Sequence, residues 1–362
     1  LPETTEIKIG DFVYPLSVKK VKKKVLDTDY IQVFTWVADD NYMMLESFNK
    51  GEDAYEFRLL DSELNESGKY VLKRGQGPRE LLKPYFVCGT LEEIFIYDGG
   101  GQRILRCDKE FKDCKITRMS IHGDDFWGSF GYSWKSGYCL TCNDEIERPT
   151  GNAVNNYFLR DTRHVTGKET PFHKETYKYM ERHAGGGKTF WRGKPHHARL
   201  IDNFAFIINL KSYTIYKYDL NGRLIKSVKI HFKGKTFAKE NTKKIVAAWG
   251  DYVSSSSAPY QYPQELWPAC WILHVGKGLA VGRRENYMPG SEKWITADYF
   301  DLELNFLGKI RLPVFKWWNH PSTATWVIDR FVFTRGDKLW ISMDDDDTEE
   351  VFLEEWIFTY DK

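Results

Sequence analysis

No stretch of this 362-residue chain approaches the run of about eighteen apolar side chains that a membrane-spanning helix needs. Charge of one sign is also lacking: 52 basic residues face 51 acidic ones, a net +1. A nucleic-acid binder would show a basic excess, so that class is set aside. There is no Gly-x-Ser-x-Gly nucleophile elbow, no His-Glu-x-x-His metal helix and no phosphate-cradling glycine loop. No cofactor and no metal are expected.

The six cysteines are compatible with either redox compartment. Cys107 and Cys114 flank the segment Asp108-Lys109-Glu110-Phe111-Lys112-Asp113, where a two-residue turn would set them opposite each other. A cross-strand bridge is geometrically possible there, but many such pairs are strained, and two thiols on an outer strand is the reading taken. Cys139 and Cys142 have the spacing of a zinc pair. They lie in strand-like sequence, however, where residues three apart point to opposite faces, and no second pair completes a site.

Aromatic residues are abundant, at 16% of the chain with 13 Trp, as suits strands packed face to face. A double ladder of signals runs through the chain. Its first rungs are short polar turns: Asp39-Asp40-Asn41, Gly89-Thr90, Lys135-Ser136-Gly137, Asp202-Asn203, Gly276-Lys277-Gly278 and Arg335-Gly336-Asp337. After each comes a strand-like run ending in aspartate, at Asp61, Asp108, Asp161, Asp219, Asp301 and Asp361. A repeat of strands and turns at this period reads as a propeller blade. The expectation is an all-β, six-bladed β-propeller of four-stranded blades, forming a single domain over residues 1–362.

The second blade is the clearest, with strands expected over 84–88, 94–97, 102–107 and 115–121. Before it runs Arg74-Gly75-Gln76-Gly77-Pro78-Arg79-Glu80-Leu81-Leu82-Lys83-Pro84, and after it come Tyr97-Asp98, Gln102-Arg103-Ile104 and Asp108. This segment resembles an NHL-type repeat: a Gly-x-Gly-Pro connector, a proline opening the inner strand, an aspartate closing the second and an Arg-Ile pair opening the third. The resemblance is to six-bladed NHL/TolB-like propellers of the exported Bacteroidota type, and is specific over residues 74–111. It implies an exported protein or lipoprotein. The chain starts at Leu1 without Met, so removal of a leader is expected, with a lipid anchor upstream of Leu1 as one possibility.

The last aspartate-marked strand, 354–360, has no fourth strand after it. Sequence within 4–26 is expected to supply that edge and close the ring. The Lys19–Lys24 run reads as a solvated edge strand. Short helices are expected at His173–His183 and Asn241–Trp249, where apolar residues recur at helical spacing.

Strand order places the short turns on one face, and the long connectors with the second-to-third loops on the other. Candidate binding residues on the long-loop face are Arg79, Glu80, Trp127, His196, His197, Arg283, Arg284, Glu285, Trp317, Trp318 and His320. Tryptophans beside His, Asn and Arg suit stacking on a sugar or gripping a peptide, or else cover core beneath the loops. Arg and Glu at the loop starts suit carboxylate recognition, or else pair with each other to tie blades together. Asp344–Glu350 lacks the spacing of a calcium loop and reads as solvated.

The function expected is therefore a non-enzymatic exported binding propeller, located in the periplasm or on the cell surface, that holds a protein, peptide or glycan. The competing class is a metal-assisted hydrolase or lyase, lactonase-like or streptogramin-lyase-like. It would draw on His122, His196, His197, Glu285 and His320 converging on the central channel.

Overall fold

The computed structural model describes residues 4–27, 31–38, 41–46, 51–89, 93–108, 110–118, 131–133, 138–147, 152–161, 170–178, 180–182, 188–190, 196–232, 269–283, 294–313, 332–345, 348 and 350–360. All regular structure in them is β, and no helix among them is long and apolar enough to cross a membrane.

The chain opens with two strands that join sheets formed much later, β1 (Thr4–Lys8) and β2 (Leu16–Leu26). The first sheet is β3 (Ile31–Ala38), β4 (Asn41–Glu46), β5 (Ala54–Leu60), β6 (Glu66–Arg74) and the short β7 (Glu80–Leu81). The second is β8 (Pro84–Gly89), β9 (Glu93–Asp98), β10 (Arg103–Asp108) and β11 (Cys114–Arg118). The third is β12 (Gly131–Ser133), β13 (Tyr138–Glu147), β14 (Asn152–Asp161) and β15 (His173–Lys178), followed by a ribbon of β16 (Met180–Arg182) and β17 (Lys188–Phe190).

The fourth sheet is β18 (His196–Ile201), β19 (Phe204–Asn209), β20 (Thr214–Asp219) and β21 (Leu224–His231), with β1 added along β21. The fifth is β22 (Ala269–Val275), β23 (Gly278–Arg283), β24 (Trp294–Asp301) and β25 (Phe306–Pro313). In the sixth, β26 (Val332–Arg335), β27 (Lys338–Asp345) and β28 (Glu350–Tyr360) are completed by β2, which runs antiparallel to β28 from Leu16 opposite Tyr360 to Leu26 opposite Val351. The N-terminus thus supplies the missing edge.

Core residues lie between successive sheets. Phe57, Leu72 and Leu81 meet Ile96, Leu105 and Phe111 between the first and second sheets. Leu140 and Tyr157 meet Ala198 and Tyr218 between the third and fourth. Phe206 and Ile208 meet Ile272 and Phe300 between the fourth and fifth, and Trp271 and Tyr299 meet Leu339 and Phe358 between the fifth and sixth. Flat aromatic side chains fill these interfaces, as their abundance in the sequence implies.

The recurring aspartates have a physical explanation in the turns between third and fourth strands. Asp61 Oδ1 accepts the main-chain N–H groups of Glu63 and Asn65, each at 2.8 Å. Asp219 does the same for Asn221 and Arg223, Asp301 for Asn305, and Asp108 for Lys112. The bonds force one turn residue into the left-handed region: Leu64 at φ 61°, Phe111 at 56°, Gly222 at 74° and Leu304 at 60°. A non-glycine residue there costs on the order of 1–3 kcal/mol. Leu64, Phe111 and Leu304 are almost completely buried, and burial of such side chains returns roughly 1.5–3 kcal/mol each. The aspartate holds the backbone in place while the apolar side chain plugs the core.

Lysines from the preceding sheet then reach these turns. Lys24 Nζ donates to Asn65 Oδ1 at 2.6 Å and Lys22 Nζ to Glu63 Oε2 at 2.6 Å, tying the sixth sheet to the first. Lys226 and Lys217 bind Asn305 and Glu303 in the same way, tying the fourth sheet to the fifth.

Two expectations are corrected. His173–His183 does not form a helix, because His173–Lys178 is the fourth strand of the third sheet and Met180–Arg182 is one side of the ribbon. Side chains there alternate with period two: His173 is buried, Glu175 and Tyr177 are half-buried, and Lys174 and Thr176 are exposed. The sheet's need for a fourth strand outweighs local helical spacing. Cys107 and Cys114 form a disulfide rather than two thiols. They are directly opposed in the β10–β11 register, and the neighbouring N–H of Asp108 bonds Asp113, so the cysteines occupy a close non-hydrogen-bonded pair. The other expected helix, Asn241–Trp249, lies outside the described residues.

Candidate binding face

The connector between the first two sheets is built around one guanidinium. Arg103, at the start of β10, is 4% exposed, and its Nε donates to Asp98 Oδ2 at 3.0 Å. Its Nη2 donates to the carbonyls of Gly75 at 3.0 Å and Glu80 at 2.6 Å, while Nη1 donates to those of Gln76 and Gly77. Asp98, wholly buried, accepts the N–H groups of Leu82 and of Lys83, the latter at 2.7 Å. Gly101 makes room for this pair: a Cβ there would lie 2.7 Å from both Arg103 Nε and Asp98 Oδ2.

One cation thus satisfies four main-chain oxygens of an otherwise irregular turn, and one anion fixes the turn's exit. Lysine, with a compact ammonium in place of a planar fork, could not span these acceptors. With its backbone held from beneath, the turn leaves Gln76, Pro78 and Arg79 exposed to solvent.

The sequence-derived candidates fall into three groups. Arg79 is exposed on this turn. Glu80 beside it folds back, and its Oε2 accepts the N–H of Gly77 at 2.8 Å. His196, His197 and Arg283 lie in strands. His196 opens β18 opposite Asn209. His197 is buried, and its Nδ1 accepts the N–H of Ile272 at 2.8 Å, joining the fourth sheet to the fifth. Arg283 is buried and grips Asp298 through Nε at 2.6 Å and Nη2 at 2.5 Å, with the Phe232 ring 4.8 Å away. Tyr213, from the loop of the fourth sheet, donates to the same Asp298. Trp127, Arg284, Glu285, Trp317, Trp318 and His320 lie outside the described residues, as does His122.

A second polar group lies between the third and fourth sheets and was not singled out from the sequence. His173 Nδ1 and Tyr218 Oη are 2.7 Å apart, His173 Nε2 is 3.5 Å from Glu175 Oε2, and Asn209 donates to Glu175 Oε1. Burial, reinforced by Tyr216 and Glu175, pushes the Tyr218 phenol well above its ordinary range, so it keeps its proton and can donate to His173. The readable signal for this seam was the period-two alternation His173, Glu175, Tyr177. Among the described residues no three His, Cys, Asp or Glu side chains gather in a way that could hold a metal ion.

No family model matches the chain, and no curated protein matches it. A solved structure from Bacteroides fragilis, of a protein described as exported, covers 99% of this chain and 100% of its own with a TM-score of 0.51 at 11% identity. The two share a fold. A member of the DUF4221 family from Bacteroides vulgatus covers 96% of this chain and 99% of its own, with a TM-score of 0.49 at 11% identity. Glutaminyl cyclase of Myxococcus xanthus covers 99% of this chain and 100% of its own, with a TM-score of 0.29 at 8% identity.

Proposed function

We propose that this protein is an exported, six-bladed β-propeller of the NHL/TolB-like type that acts as a non-enzymatic binding module. Its connector-bearing face holds a protein, peptide or glycan. The arrangement of six successive, largely antiparallel sheets, with cores packed between the first and second and from the third through to the sixth, and the sixth completed by an N-terminal strand, supports the ring. The exported neighbour supports an extracytoplasmic site of action.

The observation that carries the binding role is the Arg103 platform. It fixes the main chain of 75–83 and leaves Gln76, Pro78 and Arg79 facing water. A recognition loop that is rigid before it meets its ligand loses little entropy on binding. The opposite face is committed to structure, its turns closed by aspartates and latched by lysines.

A thermal-shift screen of the full chain against a glycan array, a peptide library, lactones and divalent cations tests this reading. A ligand at a hundred times its Kd stabilises the folded state by about 2.7 kcal/mol. Shifts confined to glycans or peptides are the expected result. Shifts confined to a lactone, with turnover that a chelator abolishes, would overturn it.

A further inference from the structure

Residues 4–26 cross the outer strands of three sheets and reach a fourth. β1 runs parallel to β21, from Thr4 opposite Ser227 to Lys8 opposite His231. Hydroxyls of Thr4 and Ser227 bond at 2.8 Å, and the Glu6 carboxylate lies 2.6 Å from His231 Nε2 and 3.3 Å from Lys229 Nζ. The chain then passes onto the fifth sheet, where Phe12 O accepts the N–H of Lys309 and Tyr14 N–H donates to Lys309 O, both at 2.8 Å. Beyond this, β2 completes the sixth sheet, and Lys22 and Lys24 reach the first.

The fifth sheet carries a seat for this crossing. Gly308, inside β25, has φ +141°, and a Cβ there would lie 2.8 Å from Phe12 Cδ1 and 3.0 Å from both Phe12 O and Tyr14 N. A glycine within a strand marks the close approach of another backbone, and here that backbone is the chain's own N-terminal segment.

The two halves of the segment are held differently. β2 is 11 residues long, with Leu16 and Leu26 buried at its ends and Val18 packed on the core of the fifth and sixth sheets. β1 is 5 residues, four of them exposed; no side chain of residues 4–14 is fully buried, Ile7 and Ile9 lying half-buried on the core of the fourth and fifth sheets and Tyr14 on that of the fifth and sixth, and the crossing leaves Phe12 62% and Val13 57% exposed.

We propose that residues 4–14 are a detachable strap that lifts from β21 and from the Gly308 seat while β2 stays in place as the closing strand of the sixth sheet. Lifting uncovers the main-chain N–H and C=O groups along the edge of β21 and leaves the sixth sheet complete.

Native-state hydrogen exchange on the full chain, read by mass spectrometry, tests the two-part behaviour. Amides of residues 4–14 and of Lys309 are expected to exchange about 100-fold or more faster than those of β2 and β28, as sub-global opening requires. Equal protection across both halves would overturn the proposal. Gly308→Val should speed exchange at 4–14 by about tenfold or more and leave β2 and β28 unchanged. A Gly308→Val chain that loosens β2 equally, or that loosens nothing, would also overturn it.

Discussion

Arg103 and Asp98 differ from this chain's surface ion pairs in what their loss would leave behind. Lys22 with Glu63, or Arg223 with Asp219, can return to water when separated, and such pairs are worth on the order of 0–1 kcal/mol. Truncating Arg103 would strand a wholly buried carboxylate and four carbonyls at once. Arg103→Ala should therefore lower unfolding free energy by about 3–5 kcal/mol in urea titration, with Arg103→Lys recovering only part of that. A loss below about 1 kcal/mol would mean that the turn does not depend on this guanidinium. At this scale the sequence was legible where one motif gathered the residues. Asp98, Arg103 and the Gly-Gln-Gly-Pro turn were all visible as pieces of a repeat, although their joining through one guanidinium was not. His197 and Arg283 were legible only as polar residues, because a linear sequence does not report that Ile272 and Asp298 wait beside them.

Among the elements, the turns between third and fourth strands were the easiest to read and β15 the hardest. An aspartate followed by a left-handed residue is a local device, fixed within five residues as at Asp61–Asn65, so its signature survives from sheet to sheet. β15 is set by its neighbours: Asn152 through Tyr157 offer it an edge, and Tyr218 and Asn209 offer polar partners to His173 and Glu175. The strap, too, is an element whose partners are distant in sequence, and its pairing makes a pH prediction. The Glu6 carboxylate is held below its ordinary value of 4.5, first by its hydrogen bond with His231 and then by Lys229. A carboxyl group with a lowered folded value stabilises above its ordinary range, and that contribution disappears as pH falls through the lowered value. Exchange protection at 4–14, normalised for intrinsic rate, should therefore decline below about pH 4.5 in the parent chain. In Glu6→Gln it should start lower and lose part of this acid dependence, the rest staying with Asp11, whose carboxylate is also held below its ordinary value by its hydrogen bond with Lys309. An acid transition unchanged by Glu6→Gln would assign the effect to another group.

For the whole molecule, repetition made the architecture readable while the ligand chemistry stayed hidden. The aspartate ladder and the missing last edge anticipated the successive sheets and the strand exchange between the two ends of the chain. Loop composition, by contrast, says which side chains are available and not which of them converge, since convergence depends on how separate sheets are set against one another. The turns themselves are distinguishable: those between third and fourth strands are latched by Lys24 with Asn65 and Lys226 with Asn305, and the connector leaving the far end of β6 is held by Arg103. The most direct test of the binding account compares charge reversals on the two faces, Arg79→Glu on the connector turn and Arg223→Glu on the turn after Asp219, against one glycan and peptide array. The account predicts that Arg79→Glu weakens the retained ligands about tenfold or more, roughly 1.4 kcal/mol, while Arg223→Glu binds as the parent does. Binding lost with Arg223→Glu and kept with Arg79→Glu would contradict it.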